Sequence, residues 1–141
     1  MATNVYYSND EQRQLIDTEV IATATTLTKA DSNKVFILDA AAGVTVTLPA
    51  LADGLRFKFI VGAAFATTNF VIASAEGDNI NGIIADLGAT PAGIPASGED
   101  QINFVASAET IGDYIEIYSD GTNYYVNGFG AGTGSITFTA V

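Results

Sequence analysis

From residue 20 onward the sequence is a succession of short stretches in which apolar and polar residues alternate, each soon closed by Gly, Asn, Asp or Pro. Alternation of period two sends successive side chains to opposite faces of a strand, and no window shows the 3.6-residue apolar stripe of a helix. Candidate strands fall at 20–27, 34–39, 44–48, 55–61, 69–73, 80–84, 101–106, 113–119, 123–127 and 135–140. Short strands at intervals of roughly 8–12 residues predict an all-β domain: an antiparallel β-sandwich, jelly-roll-like, or a related barrel.

Local chemistry supports the strands. In Val44-Thr45-Val46-Thr47-Leu48 apolar residues alternate with hydroxyls, as on a half-buried strand with Thr toward solvent. Tyr114-Ile115-Glu116-Ile117-Tyr118 puts two isoleucines on one face and two tyrosines with Glu116 on the other. Asp120-Gly121 can take the positive φ of a tight hairpin, and Ala41-Ala42-Gly43 separates two strands at hairpin spacing. Pro49 ends its strand because proline cannot donate to a ladder.

Two stretches depart from this pattern. Residues 1–22 are polar, with adjacent Tyr6 and Tyr7, and lack sustained alternation. They read as an extended N-terminal arm preceding a single β domain at 23–141, with a frayed terminus as the plain alternative. Residues 86–100 contain Gly88, Pro91, Gly93, Pro95 and Gly98, too many breakers for the interior of an element, and read as a long loop. Either could contact a neighbouring subunit, which makes Val5, Tyr6, Tyr7, Leu15, Ile16, Pro91, Ile94 and Pro95 the candidate partner-binding residues.

Composition narrows the function. Histidine and cysteine are both absent, which removes the commonest general base, the commonest transition-metal ligand and all thiolate chemistry. The net charge of −11 leaves no basic stripe for phosphates or anionic lipid, so neither nucleic acid nor membrane is an expected partner. No secretory leader and no spanning segment is expected. Charged residues make up 15% of the chain, against about 25% typically, and this shortage of polar surface suggests burial against other subunits.

Site motifs are weak. Asp113 with Glu116, or Glu76 with Asp78, could pair as glycosidase carboxylates, but an offset of three along a strand puts the first pair on opposite faces. The second pair lies in a turn. The segment Gly77-Asp78-Asn79-Ile80-Asn81-Gly82 fails as an EF-hand because position twelve would be Gly88. That leaves a non-EF calcium site on Asp78 and Asn81 against a plain Asx turn. Gly128 to Gly134 is glycine-rich, but no Lys and no helix follow, so it reads as a wide turn and not a phosphate loop. No cofactor is implied.

The run Asp31-Ser32-Asn33-Lys34-Val35-Phe36-Ile37-Leu38-Asp39 through Val44-Thr45-Val46-Thr47-Leu48-Pro49, then Gly54-Leu55-Arg56-Phe57-Lys58-Phe59-Ile60-Val61, resembles a strand unit of tailed-bacteriophage virion proteins. The stretch from Gly112 to Gly128, with Tyr114-Ile115-Glu116-Ile117-Tyr118 and Asp120-Gly121-Thr122-Asn123-Tyr124-Tyr125, is similar to the same group. Such modules occur in head decoration (cement) proteins and in tail fibres. A chain of 141 residues without a fibrous stalk resembles the decoration type more closely. The resemblance implies a homotrimer on the virion surface, made in the host cytoplasm, bound to the major capsid protein and stabilising the assembled head, with no catalytic residues. The alternative is a tail-fibre or carbohydrate-binding module, with Tyr118, Tyr124 and Tyr125 available to stack on sugars. A β-sandwich glycan hydrolase is a third reading.

Overall fold

A computed structural model describes residues 15–77 and 79–141. Twelve strands are present: β1 (Thr18–Ile21), β2 (Thr25–Thr26), β3 (Val35–Leu38), β4 (Thr45–Thr47), β5 (Asp53–Val61) and β6 (Phe70–Ala73) in the first half. They are followed by β7 (Ile80–Asp86), β8 (Ala92–Glu99), β9 (Gln101–Phe104), β10 (Tyr114–Asp120), β11 (Tyr124–Gly130) and β12 (Ile136–Thr139). A single 3-10 turn at Lys29–Asp31 is the only helical element among the described residues. Seven strands form one sheet in the order β1-β3-β5-β10-β11-β7-β8, and five form the other in the order β12-β9-β6-β4-β2.

The expected all-β, two-layer architecture is present, and neither sheet closes into a barrel. The sheets are mixed and not antiparallel throughout. From β1 to β6 the chain changes sheet at every strand, so β1, β3 and β5 run parallel in one sheet and β2, β4 and β6 in the other. Ala41-Ala42-Gly43 is therefore not a hairpin but a crossing between layers. Its glycine serves a close approach: a Cβ on Gly43 would run into the backbone of Thr68 and Asn69. Antiparallel pairing holds in β5/β10/β11, in β7/β8 and in β6/β9/β12. The Asp120-Gly121 turn is a hairpin as expected, with Asp120 Oδ1 accepting from the amides of Thr122 and Asn123, both at 2.8 Å.

The strand β1 lies within the stretch assigned to the arm. It joins the sheet edge beside β3 and buries Ile21. The segment 86–100 holds a strand where a loop was expected. β8 pairs with β7 along its length, with Pro95 opposite Ile83. Proline is tolerated because β8 is the outermost strand, where a missing N–H leaves no ladder partner unpaired. Likewise Gly128 and Gly130 belong to β11 and not to a turn. A side chain on Gly128 would strike the carbonyl of Tyr114 on the neighbouring strand.

Between the layers lies one core. Phe36, Phe57, Phe59, Ile115, Ile117 and Val126 come from the larger sheet, and Val46, Phe70, Ile72, Ile102 and Phe104 from the smaller. Phe36 stacks on Phe59 at 5.2 Å between ring centres, and Phe65 meets Phe70 edge-on at 5.0 Å. These inward residues are the even or odd members of their strands, so the remaining members define two outer faces of different chemistry.

Candidate functional site

The register of the seven-stranded sheet lines up its outward side chains in rows. One row runs Val20, Ile37, Ile60, Tyr114, Phe129 and Ala85 across six strands. The next runs Thr18, Val35, Lys58, Glu116, Asn127, Ile83 and Pro95. A third carries Arg56, Tyr118, Tyr125, Asn81 and Ser97. Each residue of the first row is apolar or aromatic, on a face that no other strand among the described residues covers.

Ten large apolar side chains are exposed among the described residues, and eight of them lie on this face or line its grooves. Ile83, Leu87 and Phe129 are 55%, 53% and 46% exposed. Concentration on one face is the informative point, since scattered surface hydrophobics are ordinary. The smaller sheet is different outside. Thr45, Thr47, Thr137 and Thr139 alternate there with Val71 and Asn103, and Asn103 Nδ2 donates to Thr139 Oγ1 at 2.8 Å.

Two shallow grooves mark opposite ends of the apolar face. The first, about 560 Å³, is lined by Ile83, Ala85, Leu87, Pro91, Gly93 and Phe129. The second, about 640 Å³, has Leu15 and Ile16 among its lining residues, with Val35, Ile60, Arg56, Lys58 and Glu116. Between them the polar residues are tied to the aromatics. Lys58 Nζ sits 4.6 Å from the Tyr114 ring centre and 3.5 Å from Glu116. Arg56 lies 5.5 Å from the Tyr118 ring centre, and Tyr118 donates to Glu116 at 2.8 Å. That bond to a carboxylate, with desolvation added, raises the Tyr118 phenol above its usual range.

The candidate partner-binding residues divide. Val5, Tyr6 and Tyr7 lie outside the described residues. Leu15 and Ile16 are 84% and 71% exposed and line the second groove. Pro91 lines the first groove and Pro95 stands on the outer face of the edge strand. Ile94 sits opposite Ile84 and turns toward the core. Of the tyrosines offered for sugar stacking, Tyr118 and Tyr125 are exposed, whereas Tyr124 is buried in the core and unavailable.

The carboxylates are occupied structurally. Asp113 is buried, accepting from the amides of Thr110 and Ala131, and Glu116 is on the outer face, so the two do not form a pair. Glu76 accepts from the amide of Leu51, and Asp78 lies outside the described residues. Asn81 spends its amide on Asn79, Asn123 and Gly98. Asp86 bridges two loops, accepting from Gly88 at 2.9 Å and Gly134 at 2.7 Å. Among the described residues no group of three or more acidic side chains converges as a metal site, and no helix is long and apolar enough to cross a membrane.

Ile37, Ile60, Ile83, Leu87 and Phe129 were not among the residues singled out from sequence. For the three isoleucines the signal was present in Val35-Phe36-Ile37-Leu38, Phe59-Ile60-Val61 and Ile83-Ile84, runs apolar at consecutive positions, whereas Leu87 and Phe129 stand beside glycines and carry no such signal. Apolar residues at consecutive positions give a strand two apolar faces in place of one. Comparison with protein-family models, with curated proteins and with solved structures finds no match to this chain.

Proposed function

We propose that the protein is a structural virion component, a capsid decoration protein that binds the assembled head of a tailed phage as a homotrimer and stabilises it. The observation that carries this reading is the gathering of exposed apolar side chains onto one sheet face, which suits a subunit whose surface is completed by neighbours. The virion itself enters through the resemblance of the β3–β5 and β10–β11 segments to phage β-modules. Of these strands β3, β5, β10 and β11 lie side by side in the larger sheet, and β4 crosses to the smaller.

The work of such a protein is mechanical. Modest contacts per copy, repeated by symmetry and linked within a trimer, give attachment far tighter than any one contact. A stiff two-layer sandwich with paired strands transmits load without needing a catalytic group. Its partners are further copies of itself and the major capsid protein, and its place is the capsid surface.

The test is reconstitution. Purified protein added to expanded capsids that lack it should bind to saturation, with bound trimers in fixed ratio to capsid subunits, and should raise the temperature at which capsids release DNA. Protein that ignores expanded capsids sinks the reading. A carbohydrate-binding tail module remains the second reading, favoured by exposed Tyr118 and Tyr125 side by side with Arg56 and Asn81. Saturable binding to a defined glycan on an array, without capsid binding, would select it.

A further inference from the structure

We propose that the outer face of the seven-stranded sheet is the self-association surface, covered by a second copy of this chain and anchored in the groove of Ile83, Leu87, Pro91 and Phe129. The inference deepens the homotrimer of the reading above and rests on it, but it concerns the free protein and needs no capsid.

Size comes first. Six intervals of about 4.8 Å separate β1 from β8, so the face is roughly 29 Å wide. With rows about 20 Å deep along the strands, the footprint is roughly 600 Å², shared in a cyclic trimer between two contacts, each of them small beside the about 800 Å² per partner of a standard interface. Apolar and aromatic side chains dominate the two ends of the face, and the few charges lie between them on β5 and β10, where Lys58 pairs with Glu116 and Arg56 lies over the Tyr118 ring.

Charge picks the occupant. A chain of net charge −11 repels its own copies over most of its surface. Along the three rows the charged residues are Arg56, Lys58 and Glu116, with Glu116 3.5 Å from Lys58 and accepting from the Tyr118 hydroxyl, and the groove linings add Asp86, Asp17 and Lys34, so positive and negative side chains balance. Repulsion between copies is therefore relieved on this face. The β8 edge is a poorer route to assembly, because Pro95 has no N–H to offer an incoming strand.

Symmetry explains why the face has two unlike ends. In a cyclic trimer each contact joins two different patches, one from each copy. Here an apolar groove lies at the β7–β8 end, and a groove bearing Leu15 and Ile16 lies at the β1–β3 end. Apolar side chains at one end are matched to an apolar groove at the other.

The experiment is sedimentation equilibrium on the full chain, compared with Phe129→Glu, Ile83→Glu and the opposite-face control Thr45→Glu. Wild type and control should sediment as an oligomer of the 14.6 kDa chain, and the two face variants at about a third of that oligomer's mass. Both sites are about half exposed, so circular dichroism should be unchanged. A folded Phe129→Glu that stays oligomeric overturns the face assignment and leaves the homotrimer standing. A wild type of single-chain mass overturns both. Because the chain lacks cysteine, Ile83→Cys gives a second readout: protection from maleimide in the oligomer, lost on dilution. Labelling at the same rate in oligomer and diluted protein overturns the inference without any charged variant.

Discussion

The phenol of Tyr124 donates a 2.6 Å hydrogen bond to the carbonyl oxygen of Pro49 inside the core. Tyr124 opens β11 in the larger sheet, and Pro49 follows β4 in the smaller, so this bond ties the two layers together. The carbonyl of Pro49 is buried and would otherwise be an orphan acceptor. Tyr124→Phe keeps the ring and deletes the donor. It should cost about 1–3 kcal/mol, read as a lower urea midpoint with an unchanged slope. An unchanged midpoint would mean that water replaces the phenol.

The same residue governs alkaline stability. Burial, with the negative charge of Glu76 adding to it, pushes the Tyr124 phenol from 10.0 up to about 12. Because the folded value is raised above the unfolded one, the stabilisation is complete below about pH 10 and is lost as pH climbs toward 12. Urea unfolding should therefore give a stability that falls across that window. Tyr118 is also raised, so wild type alone does not isolate Tyr124. The fall should be shallower in Tyr124→Phe, and equal slopes would refute the assignment.

Asp86 contributes to the acid limb, as do Asp31 and Asp120, whose carboxylates are also lowered. The amide of Gly134, and next that of Gly88, hold the Asp86 carboxylate below the usual range. A depressed carboxylate stabilises above its unfolded value of 3.8, and the contribution disappears as pH falls through the lower folded value. Asp86→Asn retains one acceptor oxygen and loses the other bond. Its melting temperature at neutral pH should drop, and the gap to wild type should close as pH falls below about 4. A gap independent of pH would point to packing instead.

The central strands were legible because β5, β10 and β11 each keep one face apolar and show it as alternation. β8 was not, since Gly93, Pro95 and Gly98 are breakers everywhere except on an edge, and edge position is a tertiary fact. The parallel coil of β1 to β6 was equally hidden. A short Gly-containing link looks the same whether it folds back as a hairpin or crosses to the other layer, and only the approach of Gly43 to Asn69 distinguishes the two. The apolar face was legible only in part. It is assembled from six strands far apart in sequence, and what marks it locally is Ile83 beside Ile84, or Ile60 between Phe59 and Val61. Pro91 and Pro95 reached that face because the turn and edge they occupy border it. Ile94 did not, because it alternates with Pro95.

Truncation separates the arm from the sheet. Thr18–Ile21 is β1, with Ile21 buried and the Glu19 carboxylate 2.9 Å from Lys34 Nζ. Removing residues 1–14 leaves this strand whole, so the urea midpoint should hold. If the deleted segment anchors the protein to capsids, occupancy at a fixed concentration should fall. Removing residues 1–21 also strips the sheet edge, at a cost of about 2 kcal/mol for the burial of Ile21 alone. Its midpoint should drop as well. Capsid occupancy unchanged by the shorter deletion would eliminate Val5, Tyr6 and Tyr7 as anchors and leave the described faces to supply the capsid contact.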